Sequence, residues 1–346
     1  MTSSSPINRP VSNWLLFCCA LVFAIIVLGG TVRLTRSGLS ITEWNPVAGV
    51  VPPLSEGAWT DAFDKYKATP EFQLHPEMTR SQFEFIYWME FAHRFVARAI
   101  GAVFLFPLLW FLLRRRVDRR LGKTLVAIFL LGGMQGAVGW FMVKSGLVDE
   151  PRVSPYRLAV HLMLAVVLFL WMLNLAWKLR GVSPLAGADA GLRARATSLV
   201  GLVLITMTSG AFVAGTRAGF YFNTFPTMGG RLIPEGFWRD DLGFANLFEN
   251  VATVQFFHRC LAFLIVAEVL TLWWKARRSG LSKVRHAGRL VLAAGAVQVT
   301  LGITTLLLGV PIPVASAHQA GAVLLLTAAA WARAQAPTGS SSSSPS

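Results

Sequence analysis

The chain has 346 residues, of which 54% are hydrophobic and only 14% charged, with a mean hydropathy of +0.54. Soluble domains carry about 25% charged residues and arrange their apolar ones in amphipathic stripes, so this composition excludes an ordinary soluble protein. The formal charge of +15 does not point to nucleic acid, because the Lys and Arg residues sit in short links between apolar blocks, where they act as topology signals.

Eight apolar blocks have membrane-spanning length. In chain order they cover Trp14–Gly30, Phe91–Leu113, Thr124–Val143, Tyr156–Trp177, Thr197–Gly215, Thr253–Trp274, Leu290–Leu308 and Val314–Trp331. The predicted fold class is therefore an all-α integral membrane protein with eight transmembrane helices. The first block is too long for a signal-peptide apolar region, and no small-x-small cleavage site follows it. Residues 1–13 and 334–346 are expected to be disordered, the tail from Pro337 being Ser-rich and of low complexity. Cys18, Cys19 and Cys260 all fall inside apolar blocks, so neither a disulfide framework nor a CxxC metal site is available.

Orientation follows from the charged links. Arg114, Arg115, Arg116, Arg119, Arg120 and Lys123 lie between spans two and three, and six further Lys and Arg residues from Lys275 to Arg289 lie between spans six and seven. Lys178, Arg180, Arg193 and Arg195 occupy the link at 179–196 and its border. Placing these links in the cytoplasm puts both termini inside, although Arg33 and Arg36 after span one pull the other way. Two long loops, 31–90 and about 216–250, then face outward. Loops of this length usually have a function. Within the first, Ser55–Lys67 and Thr79–Phe91 read as amphipathic helices lying over the outer face.

An internal repeat runs through the pattern. Phe91-Ala92-His93-Arg94 in span two matches Phe256-Phe257-His258-Arg259 in span six, and His161 in span four matches His318 in span eight. Gln135-Gly136-Ala137-Val138-Gly139 matches Gln298-Val299-Thr300-Leu301-Gly302. The offset is about 160 residues, four spans, so the halves share one orientation and should form two tandem four-helix bundles related by a pseudo-two-fold axis along the membrane normal. The bundles are expected at 14–178 and 197–333.

Histidines carry the chemistry. His75 and His286 lie in loops, whereas His93, His161, His258 and His318 each lie near the outer start of an even-numbered span, at one depth. A histidine inside a membrane span is costly without a partner, which makes function the default reading. Two imidazoles on facing helices can grip a haem from both sides, while zinc would want further Cys, His or carboxylate ligands. Arg94, Arg259 and Arg98 are candidates for the haem propionates, since arginine pairs with carboxylates bidentately. Glu90 precedes His93 by three residues and shares its helix face. The equivalent position before His258 is Gln255, so the halves differ in acid–base equipment, which implies one reactive site and one structural or electron-transfer site.

These residues resemble the haem A synthase family. The resemblance rests on Gly29-Gly30-Thr31-Val32-Arg33-Leu34-Thr35-Arg36-Ser37-Gly38-Leu39-Ser40, on Trp44-Asn45-Pro46 with Gly49-Val50-Val51-Pro52-Pro53-Leu54-Ser55, and on the run from Phe83 to Arg94. Gln135–Trp140, Ala211–Gly219, Asn223–Met228 and Pro234 extend it over roughly residues 14 to 331. It implies oxidation of the C8 methyl of haem O to a formyl group, giving haem A for cytochrome oxidase. It also implies that His93 and His161 hold the substrate haem O, that His258 and His318 hold a haem b cofactor, and that Glu90 is the family's essential acid. This chain lacks the outer-loop cysteine pair of some bacterial members and so resembles the mitochondrial and proteobacterial branch. The implied setting is the cell inner membrane, with the haem sites toward the periplasm.

The resemblance leaves chemistry open. With both axial positions of haem O filled, either one histidine leaves or the methyl is oxidised through the porphyrin with water as oxygen source. Haem O synthase and a ferredoxin-type electron donor are the expected partners, the latter attracted by a basic cytoplasmic face, and a homo-oligomer is compatible with the pattern. Two other classes compete: a di-haem b cytochrome exchanging electrons with a quinone, and a two-repeat transporter. Transmembrane b cytochromes of the first kind often place two ligands on one helix, and transporters tend to show broken helices at mid-membrane.

Overall fold

The computed structural model describes residues 8–43, 48–146, 153–185 and 190–337. Among the described residues eleven α-helices follow one another: α1 (Arg9–Leu34), α2 (Glu56–Lys67), α3 (Pro70–Gln73), α4 (Arg80–Leu113), α5 (Arg119–Gly146), α6 (Pro155–Leu179), α7 (Ala190–Gly215), α8 (Asn246–Glu249), α9 (Val251–Arg277), α10 (Ser282–Leu307) and α11 (Ile312–Gln335). Among the described residues there is no strand, only an isolated bridge between Met228 and Arg231.

Eight of these helices, all but α2, α3 and α8, are long and apolar enough to cross a membrane. At a rise of 1.5 Å per residue, the 26 residues of α1 extend about 39 Å, beyond the roughly 30 Å hydrocarbon layer. Large apolar side chains such as Phe106, Leu130, Ile205 and Leu264 are exposed on the spans, as suits helices whose outer faces meet lipid. The chain is a multi-pass membrane protein, and each expected span falls on one of these helices.

The helices are longer than their apolar blocks. α1 begins at Arg9, where Asn8 caps it by accepting from the amide of Val11 at 3.3 Å, and α11 runs to Gln335. Ordered helix therefore enters both terminal segments assigned to disorder, whose remainders, 1–7 and 338–346, lie outside the described residues. Similarly α7 starts at Ala190, inside the expected linker at 179–196.

Thr79–Phe91 departs from expectation most clearly. It is the opening of α4, continuous with span two, and no separate segment lies across the face. A capping box starts this helix: Thr79 accepts from the amide of Gln82, whose side chain accepts from the amide of Thr79 at 2.9 Å. The exposed turns are then held by an aromatic cap. α2 forms as expected after its N-cap Ser55, and Tyr66, Phe83 and Ile86 make a buried core with Trp59, Phe63 and Phe72 around it. Phe63 stacks on Phe83 with ring centroids 5.0 Å apart. Arg80 ties the two helices by an ion pair to Glu56 at 2.7 Å. Burial, with help from Glu71 and Glu90, pushes the Tyr66 phenol up to about 12, so it stays neutral in this core.

Two compact units emerge. One is Phe17–Trp171; the other comprises Met172–Ser346 with Met1–Leu16. In the second unit the end of α6 meets the start of α1, where the Ser12 hydroxyl donates to the Ala176 carbonyl at 2.9 Å, and Trp177 packs edge-on against Trp331.

Candidate haem sites

In the unit Phe17–Trp171, α4 presents Glu90, His93, Arg94 and Arg98 over little more than two turns. His161 on α6 is close enough to His93 for the two rings to interact electrostatically. The Gln135 side chain on α5 donates to the His161 carbonyl at 2.9 Å, which ties α5 to the turn that carries the imidazole. Arg98 lies one turn beyond Arg94 and is partly buried.

Glu90 is buried and its carboxylate is surrounded by donors. Oε2 accepts from the Ser40 amide at 2.8 Å, the Ser40 hydroxyl at 2.7 Å and the Ile41 amide at 2.9 Å. Oε1 pairs with Arg94 Nη2 at 2.6 Å. Arg94 also donates to the carbonyls of Ile41 and Glu43. Together these two residues clasp the strand of loop that leaves α1. A charge taken out of water needs this density of partners.

The other unit repeats the plan with a neutral group. His318 on α11 lies within electrostatic reach of His258 on α9. Arg259 donates to the carbonyls of Phe222, Thr224 and Thr227 at 2.7, 2.8 and 3.2 Å. Gln255, buried at the position matching Glu90, donates to Phe222. Asn223 bridges the same loop to the Leu306 carbonyl at 2.8 Å, and Asn250 caps α9 while holding Gly236. In both units, then, the arginine that follows the histidine fastens the loop leaving the previous long helix. Pairing with propionates would draw on what donor capacity remains, such as Arg259 Nε, which has no hydrogen-bond partner.

The residues present fit a haem. In each pair two imidazoles on different helices stand within electrostatic range of each other, and all four residues are partly buried. The Nδ1 atoms of His161, His258 and His318 have no hydrogen-bond partner. Among the described residues no three His, Cys, Asp or Glu side chains come together, so the donor set is two imidazoles and not a zinc-type cage. A flat macrocycle gripped on both faces matches that set.

In the sequence Ser40 stands out only as the end of the motif after the first span; fifty positions from Glu90, nothing local shows that it completes the carboxylate's shell. His75 lies in the link between α3 and α4, 3.3 Å from Arg36, and does not join either pair. The Trp44-Asn45-Pro46 motif lies outside the described residues.

Comparison with known proteins identifies the family. The family model described as cytochrome oxidase assembly protein (COX15-CtaA) matches residues 12–330. A protein of Nitrosospira multiformis named heme A synthase is 48% identical over 330 residues, 94% of this chain and 93% of that protein. Heme A synthases of Nitrosomonas eutropha and Rhodospirillum centenum are each 46% identical, over 94% and 95% of this chain and 93% and 88% of theirs. The chain belongs to the COX15-CtaA family of cytochrome oxidase assembly proteins.

Proposed function

We propose that this protein is an oxidoreductase that converts the C8 methyl of haem O to a formyl group, yielding haem A. The carrying observation is the asymmetry between two otherwise matched sites. His93, within electrostatic range of His161, lies one turn from the buried Glu90–Arg94 ion pair, whereas His258, within electrostatic range of His318, lies one turn from the neutral Gln255. A fixed carboxylate can stabilise positive charge that develops beside the ring as a carbon is oxidised; passing electrons calls for no such group. The names of the relatives support the same reading.

In this reading His93 and His161 hold haem O, and His258 and His318 hold haem b. When bound, haem b supplies one-electron redox chemistry. Exchange of two C–H bonds for a C=O is a four-electron oxidation: with water as oxygen source, the methyl and one water give the formyl, four protons and four electrons for an acceptor; with dioxygen, two O2, four protons and four electrons from the donor give the formyl and three waters. Glu90, three residues from His93 on α4, places a fixed carboxylate near the substrate's edge, and Arg94 keeps it oriented. The pinned segment Ser40–Ile41 covers that carboxylate with three donors. The protein lies in the cell inner membrane with both termini cytoplasmic and the histidine pairs toward the periplasm, the basic links facing a ferredoxin-type donor and haem O synthase delivering substrate.

The test is haem analysis of cells that make haem O and express this chain, by extraction, chromatography and mass. Appearance of haem A supports the assignment. Purified protein carrying two haem b per chain, with haem O unchanged in the cells, would establish the di-haem electron carrier instead.

A further inference from the structure

Each of the four paired histidines rests against one glycine of the long helix before its own. A Cβ placed on Gly139 of α5 would lie 2.9 Å from His161 Cε1, and one on Gly302 of α10 would lie 2.8 Å from His318 Cε1. On Gly210 of α7 the distance to His258 Cε1 is 3.2 Å, and on Gly29 of α1 the distance to His93 Nε2 is 3.1 Å. Atoms essentially never approach a real Cβ below 3.0 Å, and the other two distances are tighter than ordinary contact.

Helix–helix packing alone does not account for this. Small residues commonly let membrane helices approach, and Gly288 and Gly295 serve in that way, against Ala276 and Val269. Gly132, Gly133 and Gly136 share α5 with Gly139 yet face open space. The glycines that touch a histidine are one per ligand, at matching places in the repeat.

A second observation gives the contact a purpose. A metal-binding imidazole is usually oriented by a hydrogen bond from its other nitrogen. Here Nδ1 of His161, His258 and His318 makes none; the carbonyls of Thr206 and Gln298 approach the latter two rings without a hydrogen bond of normal geometry. For these three rings, packing against the glycine is the close constraint that the geometry shows. His93 presents its Nε2–Cδ2 edge to Gly29, where the other three present Cε1; a half-turn about Cβ–Cγ exchanges these edges and leaves the ring plane unchanged.

We propose that Gly139, Gly210 and Gly302, with Gly29 at the matching place in the repeat, are positioning residues that set the ring planes of the four histidines, for the three with an unpartnered Nδ1 doing by shape what a hydrogen bond does elsewhere. This rests on the reading of the histidines as haem ligands. The test uses the full chain, purified from cells that make haem O, as Gly139→Ala, Gly302→Ala, Gly136→Ala, His161→Ala and His318→Ala. Haem content is measured by pyridine haemochrome, and ring orientation by the g-values of the low-spin ferric signals. Gly139→Ala should shift the signal of the N-terminal site and weaken its haem on the order of 10-fold or more, with the C-terminal signal unchanged as an internal standard of folding. Gly302→Ala should do the converse, and Gly136→Ala should match the parent protein. Unshifted g-values and full haem in Gly139→Ala and Gly302→Ala, alongside loss in the two histidine variants, would overturn the positioning role while leaving the ligands in place. Equal loss of both signals in a glycine variant also overturns it, since the role is local. Parent-like spectra in His161→Ala and His318→Ala would instead remove the ligand reading itself.

Discussion

Ser40 gives both its backbone amide and its hydroxyl to one carboxylate oxygen of Glu90, fifty positions away, at 2.8 and 2.7 Å. Glu90 is therefore a fastening point for the loop leaving α1 as well as a charge beside His93. The two roles separate by substitution. Glu90→Gln keeps the shape but removes the charge and two acceptor sites, so haem O should still load while haem A formation fails. Ser40→Ala keeps the charge and removes one donor, a loss of about 1–3 kcal/mol in the fastening. It should lower haem A yield less severely. Chromatography and mass of extracted haems measure both; a normal yield from Glu90→Gln would take the carboxylate out of the chemistry.

Phe83 is completely buried between Tyr66 and Phe63. Phe83→Ala should cost about 3–5 kcal/mol, as for other large aromatic truncations in a core, and should loosen α2 from α4. Faster tryptic cleavage at Lys65 and Lys67, relative to the parent, is the expected readout. The same core sets a pH limit. The Tyr66 phenol lies higher in the folded protein, at about 12, than its unfolded value near 10. The cap is thus indifferent to this group below about pH 10 and loses stability above it, as the unfolded chain releases the proton first.

Long-range apolar blocks carry their own length and type, which is why eight spans and four special histidines are legible in the chain. Helix ends are less so. The turns from Arg80 to Glu90 are polar enough to read as a separate amphipathic piece, yet a capping box and an aromatic cap make them one helix with the span. The arginines are legible as donors but their partners are not: Arg94 takes Glu90 together with the carbonyls of Ile41 and Glu43, and Arg259 takes loop carbonyls, groups that every residue has and no side-chain pattern reveals. Gly139 and Gly136 look alike in the sequence, and only the fold distinguishes the one that meets His161.

Topology is testable at Lys65, which lies on α2 with its side chain half-exposed and paired to Glu43 and Asp61. Lys65→Cys should react with a membrane-impermeant thiol reagent in spheroplasts. The native cysteines give little background, because Cys18 and Cys19 are buried and Cys260 lies inside α9. Labelling only after lysis would invert the proposed orientation.

His258 and His318 belong to one compact unit, and His93 and His161 to the other. If each pair holds its own haem, damage should stay on its own side. His258→Ala leaves one imidazole at the C-terminal site, and a bis-imidazole haem that loses a ligand loses both low-spin character and much of its affinity. The purified variant should lack the haem b spectrum yet retain a low-spin signal from the N-terminal site when haem O is supplied. His318→Ala should give the same result. A mixed pairing, in which His258→Ala removes the same signal as His93→Ala, is the outcome that defeats this assignment. The comparison of the four single variants by optical and ferric-haem spectra, on protein purified from the same haem O-producing cells, decides it.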